Sequence, residues 1–213
     1  MTLKKKISLG SLAALLVGLT ILTIVRWEVW FGNPPEDPYV PKAAPTRVLL
    51  TFGNDGEMSR NVSWMCDTVV HKSHLELLPE GGEQPICVKA DGEVFESRSG
   101  KAAYYVARLT QLQDGRCYYY RAVTNGKASP WYEFSVTNPE VKKDVSFLFF
   151  GDIQDSINGV TNRYIREACL QHYSSDFVVF GGDLAERPTD AYWAESFRSI
   201  DGIAPCAVCD WKS

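Results

Sequence analysis

A β-sandwich followed by the start of an α/β domain, behind an N-terminal transmembrane helix, is the architecture that the sequence predicts. Three observations predict it. An uncharged apolar run opens the chain, short strand-like segments separated by turn residues fill positions 46–137, and from Val145 two apolar runs ending in Gly-Asp alternate with helical periodicity. The chain has 213 residues, 45% of them hydrophobic, and a net charge of −4. That suffices for a sizeable core in one or two domains. With no basic stripe and no aromatic-basic repeat, the composition excludes nucleic acid as an expected partner.

The first element, residues 1–31, reads as a signal-anchor. Lys4, Lys5 and Lys6 precede Ile7–Val25, which carries no charge and has about the length that crosses a bilayer core. Trp27, Trp30 and Phe31 follow at the far edge, where amphipathic rings settle among head groups, and the lysines keep the N-terminus cytoplasmic. A cleaved signal peptide is the rival reading, but the run is long for one and no small-x-small site precedes Arg26. Residues beyond about 32 are therefore expected outside the cytoplasm, membrane-anchored or secreted, in a bacterial periplasm or beyond it. Residues 32–45 contain five prolines and read as an extended linker.

Residues 46–140 form the expected sandwich. Strands are predicted at 47–51, 61–65, 74–78, 86–90, 104–109, 118–123 and 131–136, with turns at Asn54-Asp55-Gly56, Asp91-Gly92 and Asn125-Gly126. Tyr118 and Tyr120 share one face of a strand and Tyr119 the other, which suits core packing. The six cysteines sit at irregular spacings, unlike a dense disulfide scaffold. One bridge among Cys66, Cys87 and Cys117 is left open, while Cys206 and Cys209 lack the second pair of ligands that structural zinc requires.

Residues 144–213 change character. Val145–Phe150 and Phe177–Phe180 are short apolar runs, and helical patterns follow at 161–172 and 190–200, giving the β-α-β signature of a parallel sheet. Asp152 and Asp183 then fall just beyond the carboxyl ends of adjacent strands, where open α/β sheets bind ligands. A single Gly-Asp after an apolar strand is commonly a turn or a helix N-cap. Two of them one unit apart bring two carboxylates together, and their mutual repulsion is relieved most simply by a cation. Glycine before each aspartate is expected to let the backbone turn sharply. Oxygen donors suit Mn, Mg, Fe or Zn.

Phe150-Gly-Asp-Ile-Gln-Asp155 and Phe180-Gly-Gly-Asp-Leu-Ala-Glu186 resemble the first two sequence blocks of calcineurin-like metallophosphoesterases. The preceding segment, with Asn61-Val-Ser-Trp64, Leu109-x-x-Leu-x-x-Gly115, Tyr118-Tyr-Tyr-Arg121 and Trp131-Tyr-Glu-Phe134, resembles the fibronectin type III-like N-terminal domain of purple acid phosphatases. The resemblance implies a fibronectin-like domain over 46–140 and a partial metallophosphoesterase domain over 144–213. It further implies that Asp152 ligates one metal and that Asp183 bridges two ions of Fe, Zn or Mn. In that family the ions lie about 3.5–4 Å apart and hold the hydroxide that attacks phosphorus. Metal-dependent hydrolysis of small-molecule phosphoesters is the implied activity.

The departures matter as much. Where purple acid phosphatases place a tyrosine three residues after the bridging aspartate, this chain has Glu186, so no purple colour is expected. Where many metallophosphoesterases place a histidine two residues after the first aspartate, it has Gln154, which can offer an oxygen ligand or hold a bound water. Asp155 can cap the following helix. The family's Gly-Asn-His block and later histidine blocks do not occur, and His71, His74 and His172 match no family ligand. The expectation is therefore a C-terminally truncated hydrolase with no complete catalytic set and feeble or no activity. The alternative is a non-enzymatic membrane-anchored binding module built on the sandwich.

Overall fold

The computed structural model describes residues 3–32, 38–54, 58–97, 99–137, 140, 144–201 and 208–210, with the backbone alone at 3–9, 28 and 208–210. The chain divides into two compact units, Met1–Glu36 and Asp37–Ser213.

In the first unit the apolar run is helical, as α1 (Leu3–Val25), and a short α2 (Trp27–Trp30) follows it. Leu12, Leu15, Leu16, Ile21 and Ile24 are exposed, and Trp27 packs on Phe31 with ring centroids 4.7 Å apart. The expected transmembrane span is not established. Among the described residues no helix is long and apolar enough to cross a membrane.

The second unit opens with the β-structure. Its strands are β1 (Thr46–Phe52), β2 (Arg60–Cys66), β3 (Ser73–Pro79), β4 (Ile86–Ser97), β5 (Gly100–Leu109), β6 (Cys117–Thr124), β7 (Lys127–Ala128) and β8 (Tyr132–Ser135). They run in the order β1-β2-β5-β4-β3-β6-β7, with β8 also on β6, and every pairing is antiparallel. The layers are not two separate sheets. β4 pairs β3 over Ile86–Lys89 and β5 over Ala90–Ser97, so one curled sheet folds over a single core. The expected turn at Asp91-Gly92 is for this reason an interior stretch of a 12-residue strand. Gly92 is needed because a Cβ there would meet the Tyr105 ring at 2.7 Å, so the glycine marks a close approach rather than a reversal. Asn125-Gly126 does turn, with φ of 49° and 73°, between β6 and β7. The first predicted turn lies partly outside the described residues.

Alternation of buried and half-buried positions along β2, β3 and β6 points one face of each strand inward. Val62, Trp64, Leu75, Tyr105, Tyr118, Tyr120 and Phe134 fill the interior. Tyr118 stacks on Phe134 at 5.3 Å, and its hydroxyl accepts the Gln113 N–H at 2.9 Å. This tie from a strand tyrosine back to the preceding loop is the tyrosine corner of Greek-key sandwiches. Trp64 stacks on Tyr105 and donates from Nε1 to Thr124 Oγ1 at 3.0 Å, which satisfies its polar atom inside the core. The bridge left open among the cysteines does not form: Cys66, Cys87 and Cys117 are free thiols. Burial pushes the Cys66 thiol up, so it stays protonated within the core.

Then come β9 (Phe147–Phe150), α3 (Thr161–Gln171), β10 (Phe177–Phe180), α4 (Asp190–Ile200) and β11 (Val208–Asp210). The three strands form a parallel sheet in the order β11-β10-β9, with Phe150 opposite Phe180 and Val178 opposite Val208. Ile165 and Cys169, four residues apart on one face of α3, bury against Val178 and Phe180. Leu49 of β1 joins this second core, and Phe52 meets Phe177 edge-on at 5.4 Å. β1 thus serves two interiors, Leu50 facing the sandwich and Leu49 the parallel sheet.

Candidate metal centre

Parallel pairing sets the geometry. Because Phe150 and Phe180 are in register, the chain leaves both strands at the same edge of the sheet. The pairing extends one step into the loops: Gly181 N–H donates to Phe150 O at 2.7 Å and Asp152 N–H to Gly182 O at 3.3 Å. Asp152 and Asp183 both take left-handed backbone conformations, with φ of 53° and 48°. Non-glycine residues seldom adopt that region, and its cost persists where surrounding structure enforces it. Both side chains are exposed, beside neighbours that are partly buried in the second core, Ile153 and Leu184.

The glycines before the two aspartates act differently from one another, and only Gly182 turns the backbone as expected. Gly182 supplies a φ of 114°, and Gly181 leaves room for the Phe149 ring, which a Cβ there would overlap. A Cβ on Gly151 would make only ordinary contact with Phe149, so the sharp turn on β9 is made by Asp152 itself.

Gln154 and Glu186 lie exposed on the same two loops. Asp155 is committed elsewhere. Its carboxylate accepts the Thr161 N–H at 3.1 Å, the Thr161 hydroxyl at 3.0 Å and the Ser156 N–H at 2.7 Å. It therefore caps the start of α3, and the Thr161 N–H, followed by that of Ser156, holds its carboxyl below the usual carboxylate range. A Cβ on Gly159 would overlap this carboxylate, which accounts for the glycine there.

The histidines stay out of the loops. His71 meets Asp67 at 2.9 Å and His74 meets Glu76 at 3.8 Å within the sandwich, while His172 ends α3 with its N–H on Ala168 O. Among the described residues no group of three or more His, Cys, Asp or Glu side chains could hold a metal ion. The loops match a hard cation in the kind of donor they offer but not in number, so no chemical step through a metal is derived from them.

Two residues of α4 escaped the sequence reading. Glu195 of α4, 7% exposed, accepts from the Asn158 N–H at 3.2 Å and from Asn162 Nδ2 at 2.6 Å, and Ser196 Oγ donates to Leu184 O at 2.7 Å. Consecutive residues of one helix thus hold the loop after each aspartate. A glutamate within a helix carries no sequence signal of this kind, because an exposed glutamate reads identically.

The N-terminal domain of purple acid phosphatases matches over residues 45–136, the span from β1 to just beyond β8. A purple acid phosphatase from yellow lupin (Lupinus luteus) seeds is similar in fold, at 17% identity and a TM-score of 0.61, covering 79% of this chain and 35% of its own. The chain therefore spans about a third of that phosphatase. PhoD also matches, at 15% identity, a TM-score of 0.48 and coverage of 84% of this chain and 40% of its own. No curated protein matches. The match thus covers the curled sheet, and the parallel sheet that carries both aspartates follows it directly.

Proposed function

We propose that the chain is built as a metal-dependent phosphoester hydrolase of the extracytoplasmic space, with Asp152 and Asp183 as metal ligands and Gln154 and Glu186 beside them. The observation that carries this reading is the matched pair of left-handed aspartates at the carboxyl ends of two adjacent parallel strands, behind a purple acid phosphatase N-terminal domain. A bound pair of Fe, Zn or Mn ions would supply the charge neutralisation that phosphoryl transfer needs. Small phosphomonoesters or related phosphoesters are the substrate class. Among the described residues the donors are too few for a complete site, and turnover by this chain is expected to be feeble or absent. The exposed apolar side chains of α1 support attachment to a membrane, and resistance to alkaline carbonate extraction would test it.

Metal titration of the full chain in detergent, followed by an aryl phosphate assay with Mn, Zn and Fe in turn, tests the reading. Saturable metal binding lost in Asp152→Ala supports it, and no binding overturns it. Turnover abolished by Asp183→Asn would instead overturn the inactivity. A second reading, a non-enzymatic binding module, is favoured by the finished sandwich core.

A further inference from the structure

We infer that α4 is a clip that positions both aspartate loops and is itself anchored to the sandwich by Arg47. The inference deepens the metal-site reading and rests on it for its functional meaning.

The anchor is built at the first residue of α4. Arg47 Nη1 lies 3.3 Å from Asp190 Oδ1, its Nη2 donates to Asp190 O at 3.0 Å, and Ser97 Oγ donates to Asp190 Oδ2 at 2.9 Å. Both charged side chains are largely buried, 9% and 12% exposed. The guanidinium also lies over the Tyr39 and Phe197 rings at 4.9 and 5.8 Å. Arg47 reaches this position from a left-handed backbone, φ 53°, at the irregularity in the β1–β2 register. A strained, desolvated and multiply bonded arginine holds its partner in one geometry. Asp190 also suits the positive end of the α4 dipole.

From there α4 reaches the loops through neighbouring residues. Ser196 holds Leu184 O, one residue beyond Asp183, and Glu195 holds the N–H of Asn158, itself left-handed at φ 62° in the loop that follows Asp152. A helix is rigid over this distance, so a displacement at Asp190 moves both grips together. Arg47, Glu195 and Ser196 are positioning residues: none belongs to the proposed donor set, yet together they link the relative placement of the two carboxylates to the sandwich.

Hydrogen exchange and Mn2+ titration of the full chain, with Arg47→Met, Ser196→Ala, Glu195→Ala and Glu195→Gln, test the clip. Amides of residues 153–159 and 182–187 should exchange at least tenfold faster in Arg47→Met and Glu195→Ala while those of β2, β5 and β6 are unchanged. Mn2+ affinity should fall about tenfold in both and stay within twofold in Glu195→Gln, whose amide oxygen still accepts from Asn158 and Asn162. Should Glu195→Ala fail to fold, Arg47→Met and Ser196→Ala decide the question. Unchanged loop exchange, or loss spread evenly over the sandwich, overturns the inference. Wild-type chain that binds no Mn2+ overturns the metal reading alone, and loop exchange then decides the clip.

Discussion

The sandwich and the parallel sheet bury their apolar residues to different extents. In the sandwich Trp64, Phe134, Met65, Leu75 and Val62 are almost wholly removed from water, and the strands on both sides of the curl contribute to one interior. Among the described residues of the parallel-sheet region only Ile165, Cys169, Val178 and Phe180 are buried as a hydrophobic cluster, and the opposite face of β9 leaves Phe147 and Phe149 53% and 63% exposed. A parallel sheet is ordinarily covered on both faces. The comparison teaches that the first region closes its own core, whereas the second depends on β1, α3 and α4 for one face alone.

The largest effect should come from emptying the closed core. Trp64→Ala removes the Tyr105 stack and the Thr124 hydrogen bond, and a loss of about 3–5 kcal/mol is expected in thermal or denaturant unfolding followed by far-ultraviolet circular dichroism. If the sandwich tolerates it with less than about 1 kcal/mol lost, its core is not closed in the sense described.

Ile165→Ala acts on the thinner core, with an expected loss of about 2–5 kcal/mol confined to the parallel sheet. Hydrogen exchange should show α3 and β10 opening while β2 and β5 keep their protection. Simultaneous loss in both regions would mean that they unfold as one cooperative body.

Acid separates the regions more gently. The folded Asp155 carboxyl titrates below its unfolded value, so its contribution to α3 is present above about pH 3.9 and is lost as the pH falls through the folded value. The stability difference between wild type and Asp155→Ala should therefore vanish at the acid end of a pH series. A difference that persists there would assign the cap to packing rather than to charge.

The smallest effect is expected at the open face. Phe149→Ser should change stability by no more than about 0.5 kcal/mol and reduce self-association in analytical ultracentrifugation. A large loss would show that this face is covered.

Period-two alternation and turn residues made the strands of the sandwich legible, because each buries one face and alternates accordingly. They misplaced the end of β4, since Gly92 carries the same letter whether it turns the chain or yields to the Tyr105 ring. The β-α-β order and the strand-end positions of Asp152 and Asp183 were equally legible from two apolar runs ending in Gly-Asp. The commitment of Asp155 to the α3 cap was one of its open readings, and the contacts of Thr161 and Ser156 decide it.

By itself, then, the sequence determined where most of the strands lie, which face of the sandwich strands is apolar, and that two carboxylates follow neighbouring strands, because these follow from local periodicity and the β-α-β order. Tertiary structure alone decided that one sheet curls through β4, that β1 serves two cores, and that Arg47, Glu195 and Ser196 tie α4 to the sandwich and to both loops. Those partners lie 33 to 143 residues apart in all but the Ser196–Leu184 contact, and hydrogen bonds between such distant residues leave no period in the chain from which they could be read.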